Sequence, residues 1–306
     1  MNIKTVAAVM SCLLSAAVAG AQVPVPPQPQ DVKVTTTKLG GNVYAVDGQG
    51  GRMTALVGPD GIFLVDAQFP QVTDKIVAAL KAIAPDQRIR LLVNTHVHGD
   101  HTGGNENFAK LGATIMAQPN LRARLIKPAP AANGQPTPPA PAAALPVVTY
   151  TQRMTVQMDG EEVQIIPLPP SHTDGDTAVR FPAADVLSTG DVFRSIGFPN
   201  IDRANGGTLK GLLESMNTFI ELAGPNTKVA PGHGDVTNRA ALVAHRDMIV
   251  AVRDRIAKQI QEGKTVEQVV ASKPTADYDE KTGNAMASAD RFVQQVYAEL
   301  KGPATR

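Results

Sequence analysis

One eleven-residue stretch limits what this chain can become: Asn94-Thr95-His96-Val97-His98-Gly99-Asp100-His101-Thr102-Gly103-Gly104. Three of the chain's six histidines and an aspartate fall within it. Neutral imidazoles and carboxylates are the usual ligands of hydrolytic zinc, and the same groups accept iron or manganese. Side chains alternate along extended backbone, so His96 and His98 are predicted to share a face. A bend through Gly99 then turns Asp100 and His101 another way, and one loop can offer two pairs of ligands to two neighbouring ions. The apolar run Ile89-Arg90-Leu91-Leu92-Val93 ahead of it reads as a buried strand. The loop is therefore expected at the C-terminal end of a strand, where α/β proteins gather their chemistry.

The periodicity on either side supports that frame. Residues 32–39 and 42–47 read as paired strands around Gly40-Gly41, and 53–57 and 62–66 as a second pair around Pro59-Asp60-Gly61. Val72, Ile76, Val77, Leu80 and Ile83 mark one helical face that ends near Pro85. A short helix at 105–111 and a strand at 113–117 follow the histidine loop. Residues 127–146 are Pro/Ala-rich and read as a surface loop rather than a domain linker, because candidate ligands lie on both sides of it. Beyond it, 154–158 and 163–168 flank the hairpin signal Asp159-Gly160. Further strands are expected at 177–181, 186–188 and 227–230, and helices at 209–222, 238–262, 265–272 and 285–301. Strands followed by helices in each half predict an α/β fold, two packed sheets with helices outside.

The chain has 306 residues and a formal charge of +1. The balance gives no electrostatic case for nucleic acid, so the expected partner is a small-molecule substrate. The N-terminus carries its own signal. Met1-Asn2-Ile3-Lys4 is basic, Val6 to Val18 is an apolar run, and Ala19-Gly20-Ala21 precedes Gln22. This pattern reads as a secretory signal peptide cleaved after Ala21, and places the product in the periplasm or outside the cell. Residues 22–31 form a Pro-rich lead-in, and 32–302 are expected to be the functional domain. No later stretch is apolar enough to span a bilayer, so no membrane anchor is expected. Cys12, the single cysteine, lies inside the leader. The mature chain is then left without disulfides, thiol nucleophile or thiolate ligand.

Three later residues extend the ligand set. His172 lies in Pro170-Ser171-His172-Thr173-Asp174, Asp191 in Thr189-Gly190-Asp191-Val192, and His233 in Pro231-Gly232-His233-Gly234. Each follows an apolar run and sits in a Gly- or Pro-marked turn, and a ligand at the end of a rigid element is well aimed. The sixth histidine, His245, stands beside Arg246 and Asp247 on a helix and is expected at the surface.

The motif H-x-H-x-D-H at 96–101, followed in order by His172, Asp191 and His233, resembles the metallo-β-lactamase-fold superfamily over about residues 32–302. The resemblance implies a four-layer αβ/βα sandwich with the site at one edge of the two sheets. It implies that His96, His98 and His172 bind one zinc, that Asp100, His101 and His233 bind a second, and that Asp191 bridges them. Asp66, at the end of the strand 62–66, falls near a carboxylate that supports the histidine loop in that family. Two metal ions about 3.5–4 Å apart can share a hydroxide and bring its pKa towards about 7. Asp100 is the expected group to orient that nucleophile and pass on its proton.

Asp191 departs from the Cys-containing lactamases and is closer to the glyoxalase II and lactonase branches, whereas export is closer to the lactamases. Arg194 falls where many of those lactamases carry a substrate-binding Lys, and a guanidinium there could grip a carboxylate. Asn205 could donate to an oxyanion. Three readings stay open: an exported zinc hydrolase for amides such as β-lactams, a thioesterase or lactonase, and an iron-containing oxidoreductase or metal-binding periplasmic protein. Substrate choice is expected to lie in 48–53, 118–150 and 194–208.

Overall fold

In the computed structural model, which describes residues 31–127, 129–130, 136–283 and 286–302, the chain opens with an antiparallel meander. It runs β1 (Thr35–Gly40), β2 (Val43–Asp47), β3 (Met53–Gly58), β4 (Gly61–Val65). The turn at Pro59-Asp60-Gly61 is where the sequence places it, and Gly61 takes φ +121° to make it. Then the connections lengthen and the pairing becomes parallel, as crossovers require. Helix α1 (Thr73–Ile83) leads to β5 (Ile89–Val93), and the short helices α2 (Gly99–Thr102) and α3 (Asn105–Lys110) lead to β6 (Thr114–Ala117). After β6 comes α4 (Pro119–Leu125), which the sequence pattern did not reveal. It starts on a proline, whose fixed φ suits a first helical turn.

The Pro/Ala-rich stretch carries a two-residue ladder, β7 (Ala129–Pro130) with β8 (Pro136–Thr137), and returns to the sheet as β9 (Val148–Thr149), parallel to β6. The first sheet thus has the order β1-β2-β3-β4-β5-β6-β9. The second is built from β10 (Met154–Met158), β11 (Glu161–Pro167), β12 (Thr177–Phe181) and β13 (Val186–Gly190), all antiparallel. Helix α5 (Leu209–Leu222) then crosses to β14 (Lys228–Pro231), which lies parallel to β13. Helices α6 (Arg239–Gln261), α7 (Val266–Ala271) and α8 (Met286–Lys301) end the chain. The leader expected at 1–21 lies outside the described residues, as does the lead-in apart from Asp31. No helix among the described residues is long and apolar enough to cross a membrane.

The period-two alternation of the strands produces the layers. On β4, Phe63 and Val65 face the second sheet, while Ile62 and Leu64 face α1 and α3. All five residues of β4 are buried, as a strand covered on both faces must be. Between the sheets, Leu56, Phe63 and Val93 meet Ile165, Val179 and Phe181, and the rings of Phe63 and Phe181 sit edge to face at 6.3 Å. On the outer face of the second sheet, α5, α6 and α8 bury Met216, Phe219, Ile249 and Phe292. The result is the expected four-layer αβ/βα sandwich.

The two sheets are also clasped at the end far from the histidine loop. Asp60, in the β3–β4 turn, and Asp159, in the β10–β11 turn, cap each other: Asp60 N donates to Asp159 Oδ1 at 2.7 Å and Asp159 N to Asp60 Oδ2 at 2.8 Å. Phe63→Ala empties the centre of the inter-sheet core. It should cost about 3–5 kcal/mol, read as a drop in ΔG from chemical denaturation. A loss within the range of an ordinary surface substitution would show that this core is not the structural centre.

Candidate metal centre

Every candidate ligand leaves the C-terminal end of a strand. The histidine loop follows β5, His172 follows β11, Asp191 follows β13 and His233 follows β14. The sheets interlock at this end, since Thr177 N donates to Thr95 O at 2.8 Å. The histidine loop is less extended than its spacing predicts. It bends at Thr95–Val97 and then enters α2, which turns Asp100 and His101 away from His96 and His98.

All seven ligand candidates come together, in three overlapping groups whose ligand atoms lie within 4.8 Å of one another: His96, His98 and His172; His96, His101 and Asp191; Asp100, His101 and His233. Asp191 lies between the two outer groups. Its Oδ1 is 3.3 Å from His101 Nε2, and its Oδ2 is 3.3 Å from His233 Nε2 and 4.0 Å from His172 Nε2.

The imidazoles are aimed by what holds their other nitrogen. His101 Nδ1 meets Asp66 Oδ2 at 2.8 Å, and His172 Nδ1 meets the Asn200 carbonyl at 2.7 Å. His98 Nε2 meets Asp202 Oδ2 at 2.7 Å, and His96 Nδ1 meets Thr95 Oγ1 at 3.0 Å. A ring nitrogen bound to a carboxylate or carbonyl carries the proton, which leaves the opposite nitrogen as a lone pair. Those opposite nitrogens converge, with His98 Nδ1 and His172 Nε2 only 3.0 Å apart.

A metal fits this donor set. His96 Nε2, His101 Nε2 and Asp191 Oδ1 are buried and have no hydrogen-bond partner, a costly arrangement unless something electropositive sits among them. The electrostatics agree. Burial lowers the pKa of His96 well below its usual value and that of His172 to about 4, so both rings are neutral. Burial alone would raise the Asp191 carboxyl, but His101 and His233 outweigh it and hold it well below the usual range. Burial likewise opposes a charge on His101, yet Asp66 and Asp191 raise it well above the ordinary value. In the metal-free protein, that imidazolium is the cation between two carboxylates, and a metal would take its place.

Asp66 holds the loop as the sequence suggested. It sits in the left-handed region at φ +69°, and its Oδ1 accepts from Thr95 N at 2.7 Å. Asp202, by contrast, has no sequence signal. It stands 104 residues from His98, and Asn205 fixes it by donating from Nδ2 to Asp202 Oδ2 at 2.7 Å. Asn205 is thus engaged in bracing, and its Oδ1 accepts from Arg124 on α4 at 3.1 Å. Arg124 in turn grips both oxygens of Asp174, two residues past His172, at 2.6 and 2.7 Å. Arg194 is not brought to the ligands: it lines a separate cavity against α6 with His245 and Met248. His245 is not the surface residue its polar neighbours suggest. Its ring packs edge-on to Phe193 at 5.0 Å, its Nε2 is buried, and burial followed by the charge of Arg194 lowers its pKa to about 4.

Two glycines let backbone close over the centre. A Cβ at Gly51, in the β2–β3 loop, would lie 2.2 Å from His101 Nε2, and one at Gly232 would lie 2.0 Å from Asp191 Oδ1. Arg52 stitches these walls together, donating from N to Gly232 O at 2.7 Å and from Nη1 to Gly234 O at 2.6 Å.

Fold, strand-end side chains and buried lone pairs together define an αβ/βα protein with His/Asp groups that could hold metal. Residues 39–233 match the metallo-beta-lactamase superfamily model, and the chain belongs to that superfamily. It is 29% identical over 182 residues to the 2,4-dinitroanisole O-demethylase subunit alpha of Nocardioides sp. (strain JS1661), a match covering 56% of this chain and 52% of that one. The chain therefore spans about half the length of that curated relative. Among solved structures, it is similar to the inverting sec-alkylsulfatase Pisa1 from Pseudomonas sp. (TM-score 0.64, 18% identity, 84% of this chain and 48% of that one). It is also similar to a metallo-beta-lactamase from Pontibacter korlensis (TM-score 0.57, 18% identity, 71% and 98%).

Asp66→Asn keeps a residue that tolerates the left-handed backbone but removes the charge behind His101. It should lower metal affinity about 10–100-fold with the fold intact, measured by competition against a chromogenic chelator. Unchanged affinity would remove Asp66 from the metal centre. Gly232→Ala should likewise reduce bound metal per chain, read by elemental analysis, because its methyl displaces the Asp191 carboxylate.

Proposed function

We propose that this protein is an exported metal-dependent hydrolase that holds two zinc ions and cleaves an amide or ester-type bond in a small molecule. The observation that carries this reading is the convergence of three buried, unpartnered donors, His96 Nε2, His101 Nε2 and Asp191 Oδ1, inside a ring of seven nitrogen and oxygen ligands. His96, His98 and His172 would hold one ion and Asp100, His101 and His233 the other, with Asp191 between them. Bound metal supplies a nucleophile from water at neutral pH and polarises the bond to be broken.

The chain's own residues do the rest. Asp191 is 5% exposed and enclosed by imidazoles, so it sets spacing rather than moving protons. Asp100 is 25% exposed, with Oδ2 at 3.1 Å from His233 Nε2. It can accept a proton from an attacking water and return it to a leaving group. The Asp202–Asn205–Arg124–Asp174 network fixes the His98 and His172 side of the site. On the other side the backbone of Gly51 and Gly232 packs closely against His101 and Asp191. Export rests on the leader pattern at 1–21.

A second reading has its own support. The relative matched over 182 residues is named for O-demethylation of 2,4-dinitroanisole, so an activated aryl methyl ether is a candidate substrate beside amides, thioesters and lactones. One experiment separates them. The zinc-loaded protein is assayed on a chromogenic cephalosporin, a thioester, a lactone and 2,4-dinitroanisole, with metal content measured on the same sample. Turnover of any of the first three supports hydrolysis of an acyl bond, and turnover of the ether alone moves the assignment to ether cleavage. Two bound metals with no turnover of any would overturn the proposal. A chelator should abolish the activity and added zinc restore it. His101→Ala and Asp191→Ala should each lose metal and most activity while keeping the circular dichroism of the parent. Full activity with two zincs in either variant would strike that residue from the ligand set.

A further inference from the structure

Beside the segment that follows Asp191 lies a cavity of about 290 Å³. Its walls are the segment that follows Asp191, the first half of α6 and the turn at Tyr278–Thr282, and none of the seven metal-ligand candidates lines it. Arg194, Lys281, His245 and Thr237 face into it, and no Asp or Glu is among its lining residues. Three of these side chains bring a buried polar atom with no hydrogen-bond partner: Arg194 Nε, His245 Nε2 and Thr237 Oγ1. Arg291, on α8, does not line the cavity, but its Nε is another buried atom without a hydrogen-bond partner. Burial, and then the like charge of Arg194, lower the pKa of the Arg291 guanidinium.

Neither arginine has an ion-pair partner among the described residues. Asp279, beside Tyr278, is the acidic neighbour of this wall, yet its Oδ1 is itself buried and unpartnered. A guanidinium, a neutral imidazole and a hydroxyl therefore present donors to this cavity with no acidic side chain lining it. Native proteins rarely leave such groups unsatisfied, and each one asks for an explanation.

We propose that this cavity is a binding site for a small oxyanion, held by Arg194 with Thr237 Oγ1 and His245 Nε2 as further donors. Guanidinium groups match the geometry of carboxylates and of tetrahedral anions, and bind them through paired, charge-assisted hydrogen bonds. The neutral ring of His245 can place its proton on Nε2 and donate it. The cavity's position gives the anion a structural consequence. Arg194 is three residues past Asp191, and Ser195 N donates to the carbonyl of His233 at 3.1 Å. An anion here braces the segments that carry two of the metal ligands.

Isothermal titration of the metal-loaded protein with sodium sulfate and with sodium succinate, at constant ionic strength, tests this directly. The expected result is one saturable site for at least one anion. Preference for sulfate marks a tetrahedral ligand, and preference for succinate marks a carboxylate; either supports the site. Affinity should fall about tenfold in Arg194→Gln, the effect of losing one charge-assisted hydrogen bond, and by less in Thr237→Val. Both variants are checked by circular dichroism, and Thr237→Val carries the test if Arg194→Gln does not fold. The absence of saturable binding of either anion to the parent protein would overturn the proposal. So would binding of unchanged affinity in the folded variants, because the anion would then sit elsewhere.

Discussion

The organisation of this molecule follows from the need to bury lone pairs. Three ligand atoms, His96 Nε2, His101 Nε2 and Asp191 Oδ1, are withdrawn from water with no hydrogen-bond partner among the described residues. An imidazole can be held in that state only if its other nitrogen is tied, and each of four histidines is tied differently: to a carboxylate at Asp66, to another at Asp202, to the carbonyl of Asn200 and to the hydroxyl of Thr95. Those four partners come from both halves of the chain. The two sheets must therefore be in register before the ring orientations exist, and the inter-sheet core around Phe63 and Phe181 makes that register stable.

The division of labour between the two central carboxylates follows from the same geometry. Asp191 and Asp100 face the same imidazoles, but one is enclosed and the other reaches solvent. Enclosure fixes a charge in place; access to water lets a proton move. A similar contrast separates the two walls of the site. On the His101 side it is glycine backbone, which contributes closeness and no chemistry. On the His98 side it is a chain of side chains, from Asp202 through Asn205 and Arg124 to Asp174, joining α4 to two loops distant in sequence.

What the sequence disclosed and what it concealed divide along physical lines. Ligand identity depends on residue type and on local punctuation by Gly and Pro, so the seven ligand candidates were readable and the structure brings them together. Strand alternation and the helical face of α1 are local too, and those elements lie where their periods put them. Strand β9 has two residues, too few to show a period. Helix α4 was hidden between a strand and a low-complexity run. Asp202 was invisible because its significance lies in a partner 104 positions away. Arg194 and His245 escape a local reading for a related reason. Local polarity says nothing of the Phe193 ring and the helix face that enclose them. The Asn205 amide, which the sequence offers as a donor to an oxyanion, is occupied in bracing Asp202.

The Pro/Ala-rich stretch is fastened at both ends. Ala140 N donates to the carbonyl of Leu125 on α4, the carbonyl of Ala144 accepts from Asn105, and Val147 N donates to Ile115 just before the chain rejoins the sheet as β9. The bond from Ala140 to Leu125 closes the stretch into a loop beside α4, the helix that carries Arg124. Doubling the length of such a closed loop costs only about 0.6 kcal/mol in chain entropy. This is the place where the protein can exchange or lengthen its sequence freely, and through which descendants of this chain, natural or engineered, can acquire new neighbours for the metal centre without rebuilding it.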